Sequence, residues 1–126
     1  MDALQARDYL LSKPEAWEDY PFGPGAAVFK IRQKMFGLLI QDAAGARLNL
    51  KCDPLQAQML RDIFEAVTPG YHMNKRHWNT VLLDGSLPDG EVQRLIDHSY
   101  GLVVRGLKVV ERRALELAWG AEALYR

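Results

Sequence analysis

Between Thr68 and Gly85 the chain reads TPGYHMNKRHWNTVLLDG, and His72, Asn74, Lys75, Arg76, His77 and Asn79 crowd imidazoles, carboxamides and two adjacent cations into a short stretch. Imidazoles and carboxamides hydrogen-bond base edges or phosphate oxygens, and ammonium and guanidinium groups pair with phosphate. If Asn74 to His77 form a hairpin tip, Met73 lies opposite Trp78 and Tyr71 opposite Thr80. Alternation along the strands then puts Tyr71, Met73, Trp78, Thr80 and Leu82 on a core face and His72, Asn74, His77 and Asn79 on the outer one. With Trp78 turned inward, the outer face has no aromatic platform for stacking single-stranded bases.

A second basic tip is expected near Gln33, flanked by Lys30, Arg32 and Lys34, while Arg47 and Lys51 fall on the polar face of a neighbouring strand. The candidate phosphate-contacting set is therefore Arg32, Lys34, Arg47, Lys51, Lys75, Arg76, His77 and Asn79, with His72 and Asn74 as lining for a small pocket. The same residues also fit hairpins whose charges serve only solubility and edge protection. No metal is expected, because His72 and His77 share a face but a third ligand is wanting. The sequence has no GxSxG, HExxH or phosphate-cradling glycine loop, and the single cysteine, Cys52, alternates with apolar residues as a small buried hydrophobe does. An enzyme is not expected, and neither is a cofactor.

These residues need a scaffold, and the hydrophobic pattern supplies one. Ala3, Leu4, Ala6, Leu10 and Leu11 follow a helical arc from Asp2 to Lys13, stopped by Pro14. The runs AAVFKI, MFGLLIQ and ARLNLKC read as three strands, with turns at Gln33-Lys34 and at Asp42 to Gly45. Leu48, Leu50 and Cys52 form an apolar face, and Arg47, Asn49 and Lys51 form a polar one. Asp53, Pro54 and Gln56 form a capping box with proline at the first helical position, and Ala57, Leu60, Ile63, Phe64 and Val67 carry that helix to a break at Thr68-Pro69-Gly70. Strands resume at Tyr71 and Trp78. Pro88, Asp89 and Glu91 open a third, long helix striped by Val92, Ile96, Ser99, Val103, Leu107 and Val110, with His98 off the stripe and exposed. The order α-β-β-β-α-β-β-α predicts an α+β, two-layer fold with a mostly antiparallel sheet and helices on one face. Residues 1–110 form the expected domain, and 111–126 a helical extension that packs back or serves a homodimer.

The chain has 126 residues, 48% hydrophobic and 25% charged, with 16 Lys and Arg against 16 Asp and Glu. That size and composition suit one soluble domain. Zero net charge rules out a general attraction to polyanions, so any nucleic-acid site must be a local patch. The opening residues lack the apolar core of a signal peptide, no apolar run approaches the roughly 20 residues of a membrane span, and a lone cysteine makes no intrachain disulfide, so a cytoplasmic protein with no membrane partner is expected.

WEDYPFGPGAAVFKI from Trp17, LNLKCDP from Leu48, TPGYHMNKRHWNTVLLDG from Thr68 and LIDHSYGLV from Leu95 together resemble the MmcQ/YjbR family. The resemblance covers roughly Asp2 to Leu107. It implies a CyaY-like (frataxin-like) α+β fold whose two protruding hairpins form a double wing suited to DNA, Arg32 and Lys34 on the first and Lys75, Arg76, His77 and Asn79 on the second. Frataxin-like proteins also suggest iron handling on an acidic ridge, but here the first helix has only Asp2 and Asp8, mixed with Arg7 and Lys13. The expectation is weak, salt-dependent DNA binding. A small-anion or protein-interaction module built on the His72, Asn74, His77 and Asn79 face is the alternative.

Overall fold

A computed structural model describes residues 1–70 and 73–126. The first helix, α1 (Ala3–Leu11), is closed by a reciprocal cap in which Asp2 Oδ1 accepts from the Gln5 amide at 2.8 Å and Gln5 Oε1 accepts from the Asp2 amide at 2.9 Å. Then come β1 (Trp17–Asp19), β2 (Ala26–Ile31), β3 (Lys34–Asp42), β4 (Gly45–Lys51), α2 (Pro54–Ile63), β5 (Val67–Pro69), β6 (Trp78–Leu82), α3 (Asp89–Arg105), α4 (Val109–Trp119) and α5 (Ala121–Leu124). The six strands form one sheet in the order β1-β2-β3-β4-β6-β5, and every pairing is antiparallel. This is the α+β architecture expected, with β1 added at one edge.

The helices pack on the face that carries Ala27, Leu39, Leu48 and Val81, which stand in register across β2, β3, β4 and β6. In the next row on that face, Leu10 of α1 lies over Gly37, and the Asn79 amide reaches Ala57 of α2. Leu115 of α4 and Leu124 of α5 are fully buried in the same core cluster, so residues 111–126 pack back onto α3. The long third helix expected from the sequence divides at Gly106, which caps α3, and Val110 lies in the first turn of a separate helix, α4, with 82% of its surface exposed. Ile63 also departs from its expected stripe. With Met59 and Leu55, one turn and two turns earlier, it faces solvent while Ala57 and Leu60 are buried.

Register puts Lys30 against Met35 and the preceding Phe29 against Gly37, so Phe36 is an extra residue, a β-bulge. Ser99 of α3 fills the gap. Its Oγ donates to the Phe36 carbonyl at 2.6 Å and accepts from the Lys51 amide at 2.9 Å, while the Phe36 ring meets Tyr100 edge-on at 5.1 Å.

The largest correction concerns the strand before the His-rich loop. The strand paired there with β6 is Val67–Pro69, ahead of Gly70, with Thr68 against Thr80 and Pro69 against Asn79, while Tyr71, where a strand was expected to resume, lies outside the described residues. Proline lacks an amide donor, yet β5 is the edge strand, where a missing donor is tolerated. Gly70 continues the contact, donating to the Trp78 carbonyl at 2.9 Å; a Cβ there would come within 2.9 Å of both that oxygen and Trp78 Cβ. The partner of Thr80 is thus three residues earlier than the expected Tyr71, and an odd shift exchanges faces. Asn79 and Val81 point to the helices. Trp78, Thr80 and Leu82 point away from them.

Candidate functional site

Lys51 ends β4, Trp78 begins β6, and the two are direct cross-strand partners on the face turned from the helices. Lys34 and Met35 begin β3 at the same end of the sheet. These four residues, with Val103 and Gly106 from the last turn of α3, line a cavity of about 330 Å³. Half-buried Trp78 supplies an aromatic wall, and two ammonium groups stand at its sides.

Counter-ions separate the basic residues into two kinds. Arg32 sits at the two-residue β2–β3 tip in a left-handed conformation (φ 55°), and its Nη1 donates to Glu15 Oε1 at 2.6 Å while its carbonyl accepts from Trp17 Nε1 at 2.9 Å. Arg47 grips Asp42 with both terminal nitrogens, at 3.1 and 2.9 Å, and the Arg47 guanidinium holds the Asp42 carboxyl below its usual range. Lys30 pairs with Asp19 at 2.9 Å and stands over the Trp17 ring, 5.0 Å from its centroid. By contrast, Lys34, Lys51, Lys75 and Arg76 have no carboxylate within 4.0 Å among the described residues.

The loop leading to Trp78 is shaped by side chains that the hairpin reading had assigned to a ligand. Asn74 Oδ1 accepts from the Arg76 amide at 3.0 Å, an Asx turn, and its carbonyl accepts from the His77 and Trp78 amides at 3.1 and 2.9 Å. The His77 carbonyl accepts from the Cys52 amide at 2.8 Å. Asn79 is 3% exposed, and its Oδ1 accepts from Arg61 Nε at 2.7 Å. It is therefore a structural residue under α2 and not a surface contact. His72 lies outside the described residues, so the expected face of His72, Asn74, His77 and Asn79 is not assembled by the residues that are described.

Two positioning residues escaped the sequence reading. Arg61 of α2 holds Asn79 with Nε and donates from Nη2 to the Lys75 carbonyl, tying helix, strand and loop together. The available signal was a cation one turn after Ala57, on the side of α2 that is buried. His98, expected exposed, is half-buried and its Nε2 accepts from the Asp53 amide at 3.3 Å. Asp53 Oδ1 meanwhile accepts from the Leu55 and Gln56 amides. The cap expected from Asp53 forms, but His98 takes the reciprocal position assigned to Gln56. Burial, and then the charge of Arg94, lower the His98 pKa. Cys52 is 3% exposed, and burial pushes its thiol up to about 11, which keeps it protonated.

An antiparallel sheet backed by helices on one face, with a basic, aromatic cavity at its strand ends, defines the class of the molecule. The chain belongs to the MmcQ/YjbR family: the YjbR family model matches residues 11–102. It is 35% identical over 115 residues to the uncharacterized protein YjbR of Escherichia coli K12, covering 91% of this chain and 98% of that one. It is 40% identical over 88 residues to the uncharacterized protein YbdF of Escherichia coli O157:H7, covering 70% and 72%. The crystal structure of the Deinococcus radiodurans protein DR2400 superimposes with a TM-score of 0.84 at 34% identity, over 91% of this chain and 88% of that one. Among the described residues no helix is long and apolar enough to cross a membrane.

Proposed function

We propose that this protein binds nucleic acid, and that Lys34, Lys51, Lys75 and Arg76 make the phosphate contacts. The observation that carries the reading is the contrast in counter-ions. In a chain of zero net charge, two cations with no acidic partner among the described residues line one cavity, and the loop that delivers Trp78 to its wall bears two more. A local positive field of this kind attracts polyanions even when the whole molecule does not. Arg32 and Arg47, each bound to a carboxylate, contribute less, and His77 is a neighbouring polar contact. DNA is the first ligand to test.

Four phosphate contacts give a salt slope of about −3.6 on duplex DNA. Fluorescence anisotropy between low and moderate salt measures it, and Lys75→Ala/Arg76→Ala is expected to make the slope shallower by about 1.8. A slope near zero in the wild type removes the phosphate reading. A second reading, homodimerisation through residues 111–126, is supported by the exposure of Leu117 (90%) on α4. Sedimentation of a Leu117→Lys variant tests it, with a halved mass expected.

A further inference from the structure

We propose, resting on the nucleic-acid reading above, that the ligand is single-stranded and lies across the helix-free face of the sheet, with one base stacked on Trp78. Register across β1, β2, β3, β4 and β6 puts Trp17 beside Lys30, Lys30 beside Met35, and Lys51 beside Trp78, all on that face. Trp17, Lys30 and Met35 on one side and Lys51 and Trp78 on the other lie at the same end of the sheet. Trp17 is covered by Lys30, which Asp19 holds, so half-buried Trp78 beside Lys51 is the ring that remains to receive a base. Proteins hold unstacked bases in this way, with aromatic rings under the bases and cations along the backbone.

The cavity decides between one strand and two. Its 330 Å³ admits a base with its sugar beside the Trp78 ring, and the ammonium groups of Lys34 and Lys51 stand where the adjoining phosphate falls. In a duplex each base is already stacked on both sides, so it offers the indole no π-face.

The test is anisotropy with a fluorescein-labelled thymidine dodecamer and with the duplex of the same length, at low salt. The single strand is expected to bind more tightly than the duplex, with a salt slope of about −2.8 for four contacts. Trp78→Leu should weaken single-strand binding at least about fivefold, while Trp78→Phe, which keeps a ring at the site, should retain most of it. The wild-type preference for one strand is itself a readout that does not depend on either variant folding. Equal binding of both forms, or tighter duplex binding, overturns the single-strand inference and leaves the phosphate reading standing. Failure of both forms to bind overturns both.

Discussion

The β2–β3 tip and the loop between Gly70 and Trp78 both carry cations, but they hold them differently. At the first, Arg32 is fixed twice, by its guanidinium on Glu15 and by its carbonyl under Trp17 Nε1. At the second, the fixing is done through the main chain, by Asn74, Arg61 and Cys52, and the Lys75 and Arg76 side chains have no carboxylate within 4.0 Å among the described residues. The difference teaches that two equally basic tips present unequal charge, because a carboxylate beside one of them cancels its field. Position relative to acidic neighbours matters more than the number of cations.

The second tip is most sensitive to a change at Arg61. Arg61→Ala leaves Asn79 Oδ1 buried without its donor and frees the Lys75 carbonyl, and hydrogen bonds to charged groups of this kind contribute about 3 kcal/mol. A loss of about that size is expected in urea denaturation. Glu15→Gln at the other tip should cost under about 1 kcal/mol, since Glu15 and Arg32 are both about a third exposed. That same change should convert the first tip to the second kind. Freed of its counter-ion, Arg32 becomes available to phosphate, and the salt slope should steepen by about 0.9 while affinity rises. Arg32→Ala alone should change DNA affinity by less than about twofold, because its charge is already neutralised.

The smallest effect comes through His98, which braces the start of the helix that carries Arg61. Its pKa is lowered in the folded protein from the ordinary 6.5, so the unfolded chain binds the proton more readily. The stabilisation is complete above about pH 6.5 and declines as pH falls from there through the lower folded value. Thermal denaturation at pH 7.5 and 5.5 should show this loss, and His98→Gln should reduce it.

What the sequence disclosed depended on how far away the determining contact lay. The Asp53 cap on α2 and the tight β2–β3 turn are set by neighbouring residues, and both were legible. The face of β6 was not, because it is set by pairing with β4, a distant strand, and Pro69 concealed the other neighbour, β5, by reading as a break. Leu48 against Val81 and Leu50 against Asn79 turn Asn79 to the core, and Trp78, opposite Lys51, to the other face. Lys51 and Lys34 were recognisable as candidates from strand alternation and tip position. Their convergence on one cavity was not, since it needs the last turn of α3 beneath them. Nor did local spacing reveal that Arg32 and Arg47 would be neutralised, one of them by a residue 17 positions away.

Ser99 gives the bulge a meaning that reaches beyond strand geometry. A single hydroxyl wedged between Phe36 and Lys51 fixes how far α3 can slide along the sheet, and Val103, one helical turn later, is thereby set at the cavity floor. The depth of the cavity is gauged from inside the protein, by a fully buried residue. Evolution or engineering could retune what fits there by altering that internal spacer, with every residue at the surface left as it is.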